Sequence, residues 1–91
     1  MDIMQDKLNL LILLLKTIEA DDTISIEVSH PLVIAITFLA NECLIDEDGH
    51  PNRKSIDIVA SNGFLIVPGE VDRFGWVTGL IHLRKGAIQF G

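Results

Sequence analysis

Three imidazoles, one thiol and one run of acids are the residues of this 91-residue chain whose types suit chemistry. His50 closes the stretch "DEDGH", which can be drawn as a metal site with Asp46 and Asp48. The stretch lacks the pattern of a calcium loop, and no second His follows at the spacing that puts two imidazoles on one helical face. A solvated turn that binds neither zinc nor calcium is therefore expected. His30 stands before Pro31 at a helix entry, and His82 lies between Ile81 and Leu83, on the strand face opposite both. Neither has the partner that a general base requires. Cys43 is the sole thiol, so this sequence forms no internal disulfide and no Cys-rich metal site, and a reducing, cytoplasmic setting is the simplest expectation. No cation sits within three residues of Cys43, and Glu42 beside it disfavours a thiolate, so a small buried hydrophobe is expected.

The sequence has neither the Gly-x-Ser-x-Gly elbow nor a phosphate-binding loop, and the glycines of "GEVDRFG" are too far apart for a dinucleotide fingerprint. No catalytic residue, no metal and no cofactor is expected. The chemistry that remains is recognition. Hydrophobic residues make up 48% of the chain and aromatics only 5%, with no Tyr, so a core of Leu, Ile and Val must form in a single domain, residues 1–91. Such a small domain has surface to spare, and some aliphatics must reach it, which marks contact with another chain. Trp76, the sole tryptophan, either plugs the core over the aliphatic sheet face or anchors an interface.

The elements that position these residues follow from periodicity. From Met4 to about Ala20 the residues are strong helix formers, and Leu8, Leu11, Leu15 and Ile18 recur at helical spacing. Leu10, Ile12, Leu13 and Leu14 widen the apolar stripe beyond one packing surface, which makes Leu11 and Leu14 candidate partner-binding residues. The stretch "LNLLILLLKTI" is similar to a signal-peptide core, but Asp2 and Asp6 flank Lys7, "EADD" follows, and the unbroken run from Leu10 to Leu15 falls far short of the ~20 residues of a membrane span. A buried helix without membrane contact is expected.

In "TISIEVS", Ile24, Ile26 and Val28 alternate with polar residues, predicting a short edge strand. Ser29 as cap and Pro31 in the first turn open a second helix to about Cys43, while the β-branched "LVIAIT" leaves a buried strand from Leu32 to Phe38 as the alternative. After the loop "DEDGHPN", "RKSIDIVASNG" predicts a helix of about nine residues closed by Gly63. A strand through Phe64–Val67, a turn at "PGEVDRFG", a strand through Trp76–Leu83, a turn at "RKG" and a final strand "AIQFG" complete the chain. The fold class is α+β, two or three helices on a small antiparallel sheet with a C-terminal β-hairpin.

Charge is divided along the chain. Residues 1–52 carry Lys7 and Lys16 against ten acids, a net of −8, and residues 53–91 carry Arg53, Lys54, Arg73, Arg84 and Lys85 against Asp57, Glu70 and Asp72, a net of +2. In the basic part, "VASNGFLIV", "PGEVDRFG" and "GLIHLRKG" follow one another, with Gly63, Asp72, Arg73, Leu83, Lys85 and Gly86 near fixed positions of a known pattern. Residues 53–90 thereby resemble the winged helix-turn-helix family, in its small phage-type and antibiotic-resistance-repressor-like members. The resemblance implies a DNA-binding transcriptional regulator in which Arg53, Lys54, Ser55, Ser61 and Asn62 lie on or beside a recognition helix and Arg73 at the wing tip reaches a phosphate or the minor groove. Set beside it, the apolar excess and acidic first half favour a non-catalytic protein-interaction module that self-associates, with Leu11, Leu14 and Trp76 as its contacts and DNA binding as the alternative.

Overall fold

A computed structural model of the chain describes residues 2–71, 73–74 and 77–91, the side chains of Glu70 and Val71 excepted. Three helices, α1 (Ile3–Ala20), α2 (Pro31–Leu44) and α3 (Arg53–Ser61), precede three strands, β1 (Leu65–Val71), β2 (Val77–Leu83) and β3 (Gly86–Phe90). The strands form an antiparallel meander in the order β1-β2-β3, so the fold is α+β, with helices on one sheet face.

Each helix begins at a side chain that satisfies one of its orphan amides. The Met4 N–H donates to the Asp2 carboxylate over 3.0 Å, and the Ser55 N–H donates to Asn52 over 3.3 Å. The cap of α2 is His30 and not Ser29: its Nδ1 accepts from the Leu32 N–H at 3.1 Å, and Pro31 follows at the first helical position. The alternative of a strand over Leu32–Phe38 is overturned, because burial of Val33, Ile36, Leu39 and Ala40 along one helical face outweighs the β preference of their branched neighbours. Helix α3 ends on Asn62, with Gly63 at φ +98°, the left-handed conformation that glycine adopts without steric cost.

The expected edge strand at "TISIEVS" does not form. Residues 21–30 are a loop whose amides close local turns, with the Ile24 N–H donating to the Asp21 carbonyl, Glu27 to Ser25 and His30 to Glu27. Ile24 and Ile26 still pack against the core, so their alternation reports burial of every second side chain and not ladder pairing. Strand β1 runs past the expected Val67 to Val71, which confines the turn to fewer residues than "PGEVDRFG".

All six elements contribute to one core, including Leu11, Leu15 and Ile18 from α1, Ile36 and Leu44 from α2, Val59 from α3, Ile66, Ile81 and Phe90 from the sheet. Helix α1 has no base in its last turn. The β2–β3 turn supplies two: Arg84 donates to the Glu19 carbonyl at 3.1 Å, and Lys85 Nζ donates to the carbonyls of Asp21 at 2.5 Å and Ile24 at 2.9 Å. Cations and donors at a helix C-terminus satisfy its orphan carbonyls and complement its dipole, so this turn fastens the sheet to α1.

Candidate functional site: the α1–α2 groove

Helices α1 and α2 lie antiparallel. Lys7 near the start of α1 pairs with Glu42 near the end of α2 at 3.4 Å, while Leu14 lines one groove with Pro31 and Ile34 from the start of α2. On the side turned away from the sheet, the two helices enclose an open groove of about 550 Å³ lined by Leu10, Leu14, Pro31, Ile34, Ala35, Phe38 and Leu39. None of the seven carries a charge or a side-chain polar atom. Phe38 is 61% exposed and Ile34 54%, while Leu13, 59% exposed, extends the apolar surface along α1. The run from Pro31 to Asn41 contains no charged residue at all.

The expected contact residues divide between core, groove and the undescribed part of the chain. Leu14 lines the groove, as a surface contact must. Leu11 is 0% exposed and belongs to the core, because on an 18-residue helix packed on two neighbours the middle of the stripe faces inward. Trp76 lies outside the described residues. Phe38 and Ile34 were not among the expected contacts. The signal for them was an α2 sequence in which Thr37, Asn41 and Glu42 are the polar residues among fourteen, although a helix in a chain this small cannot bury every apolar side chain.

The residues assigned to DNA by resemblance are spread more widely. Arg53 and Lys54 are exposed in the first turn of α3, and Arg73 is exposed at the β1–β2 turn, its guanidinium 5.1 Å from the centre of the Phe74 ring. Ser55 is only 6% exposed, so little of it is offered to a partner. The Asn62 amide donates to the Ile58 carbonyl at 2.8 Å, and the Ser61 hydroxyl donates to the same carbonyl at 2.8 Å. Asp72, part of the same resemblance, lies outside the described residues.

At the acidic loop, Asp46 Oδ1 accepts from the Asp48 and His50 amides, both at 2.9 Å, which commits that oxygen to turn formation. Among the described residues no group of three or more His, Cys, Asp or Glu side chains could hold a metal ion, and no helix is long and apolar enough to cross a membrane. Cys43 is buried in the core, and burial pushes its thiol pKa up, partly opposed by Lys7 and reinforced by Glu42. A thiol so placed is a weak nucleophile. Comparisons with protein-family models, curated proteins and solved structures returned no match.

Proposed function

We propose that the protein is a non-catalytic interaction module that self-associates through the α1–α2 groove. The observation that carries this reading is the uncharged groove with the exposed Phe38 in its lining. Depletion of charge and enrichment of aromatic and aliphatic side chains distinguish the centre of a protein interface from ordinary surface. A second copy fits the electrostatics: two chains of net charge −6 repel unless they meet where no acid is present, and α2 offers that surface from Pro31 to Asn41. A twofold contact places the same patch on both partners, so Phe38 of each copy enters the groove of the other and the contact closes at two.

Sedimentation equilibrium on the wild type and on Phe38→Glu tests the reading. The wild type is expected to dimerise at concentrations on the order of 100 µM or below. Phe38→Glu is expected to stay monomeric with unchanged helix content, because it places a carboxylate at a site already exposed in the monomer. Leu11→Ala is expected to cost about 2–5 kcal/mol of stability through a core cavity without abolishing dimerisation of the folded fraction. A wild type that is monomeric throughout that range overturns the proposal.

A second reading, a winged-helix DNA-binding regulator, is favoured by one arrangement: Arg53 and Lys54 open α3, and the chain passes through Gly63 directly into a hairpin whose turn carries Arg73. It ranks second because Ser55 is buried and the Asn62 amide is engaged at the end of its own helix.

A further inference from the structure

The sheet has two outer edges, and they are not alike. Strand β1 carries Pro68, and its register with β2 shifts between Pro68 and Val71. The two-residue turn Arg84–Lys85 makes Leu83 and Gly86 a hydrogen-bonded pair, and the alternation of an antiparallel ladder then directs Ile81 and Gly79 toward β3, and Leu80 and His82 toward β1. By the same alternation Pro68 falls where its missing N–H faces the outer side. Proline and irregular register both discourage a further strand from joining an edge. Strand β3, "GAIQF", has no proline, no charge and no register shift.

The ladder also fixes which groups of β3 are unused. Gly86, Ile88 and Phe90 turn their N–H and C=O groups to β2, while Ala87 and Gln89 turn theirs outward. No backbone hydrogen bond joins residues 24–28 to 86–90. Between them runs a slot of about 290 Å³, walled by Ile26 and Val28 on one side and by Ala87 and Gln89 on the other, with Val33 and Thr37 of α2 beside it. None of the lining side chains is charged.

We propose that this slot is a strand-addition site, in which an extended, uncharged peptide segment of a partner protein pairs with the outward groups of Ala87 and Gln89 and sets alternate β-branched aliphatic side chains against Ile26 and Val28. Outward N–H and C=O groups select an extended backbone, and the aliphatic walls select the residues at every second position. The neighbouring segment of the chain does not fill the place, because the Ile24 and Glu27 amides are committed to turns and the Ile24 carbonyl accepts from Lys85. The β3 edge of a second folded copy does not fit either, because in that copy the same edge is flanked by its own Ile26 and Val28.

The test uses the full chain, ¹⁵N-labelled, and an acetylated, amidated heptapeptide of alternating Thr and Val. In the free protein the Ala87 and Gln89 amides are expected to exchange with solvent much faster than Ile88, whose N–H faces β2. Saturating peptide should slow both by at least about tenfold, equally in wild type and in Phe38→Glu, so the site stands or falls independently of the α1–α2 contact. The same peptide N-methylated at every second amide should lose this effect, and Gln89→Pro, which removes one outward N–H, should weaken binding by at least about tenfold. Ala87 and Gln89 as protected as Ile88 without peptide, equal binding of the N-methylated peptide, or no slowing at millimolar peptide each overturns the proposal.

Discussion

The ring of Phe90 lies over Gly79, its cross-strand partner, and fills the space that a Cβ on Gly79 would need. Both residues face the helices, so an aromatic ring is stacked on bare backbone in the middle of the sheet. The chain has few aromatics to spend, and this one is 2% exposed at the last position of β3. The contact ties the end of the chain to the central strand.

Gly79→Ala is therefore expected to destabilise the protein by about 1–3 kcal/mol, since the methyl would meet Phe90 Cε1 at 2.7 Å and the ring has little room to withdraw. Phe90→Leu should relieve that clash, so the double variant should lose less than the sum of the two singles. Urea denaturation of the four proteins measures the coupling. Strict additivity would mean that the ring does not hold the space above Gly79.

Much of the fold was legible because helix signals are local. The spacing of Leu8, Leu11, Leu15 and Ile18 predicted α1, and Gly63 predicted where α3 stops, each from residues within a few positions of the feature. The segment at Thr23–Ser29 misled because alternation is silent about backbone partners, and it overstated burial too, since Val28 is 90% exposed. Ile24 and Ile26 reach the core while the segment is held by turns and by Lys85, about sixty residues away in sequence. The candidate site was half legible. A wide stripe on α1 announced surplus apolar area, but which leucine faced out depended on where α2 and α3 packed: Leu14 lines the groove and Leu11 lies in the core. Phe38 was hidden for the same reason, since an apolar helix does not reveal from its sequence which side lacks a neighbour.

Asp21 supplies a prediction in pH. Its carboxylate accepts from the Thr23 hydroxyl at 2.6 Å and the Thr23 amide at 2.9 Å, and these bonds hold its pKa below the ordinary Asp value against the opposing effect of burial, with Lys85 the smallest contributor. A depressed folded pKa means that this group's contribution is present above the unfolded pKa and is lost as pH falls through the folded one. Thr23→Val removes the hydroxyl and keeps the amide. Its Asp21 should titrate closer to the ordinary value by carboxyl NMR, with Lys85→Met producing a smaller change in the same direction. An unchanged titration in Thr23→Val would show that the hydroxyl bond is not what stabilises the charged form.

The two functional readings part over Arg53, Lys54 and Arg73. Of the five cations in the second part of the chain, Arg84 and Lys85 are engaged at the end of α1, which leaves these three to meet phosphates. A protein that neutralises about three phosphates changes its affinity with salt with a logarithmic slope of about −3, and Arg73→Ala lowers that slope by about one. The first part of the chain, at net −8, repels the duplex at distances up to the Debye length of about 8 Å at physiological ionic strength. The expected outcome is no measurable duplex binding at about 150 mM salt, in wild type and Arg73→Ala alike, while dimerisation continues there because the α1–α2 groove contains no charge to screen. Fluorescence anisotropy with a labelled duplex over a salt series, run beside sedimentation in the same buffers, makes the comparison. Salt-steep binding that weakens in Arg73→Ala would put the DNA-binding reading first, and the groove would then serve to pair two recognition helices on one duplex.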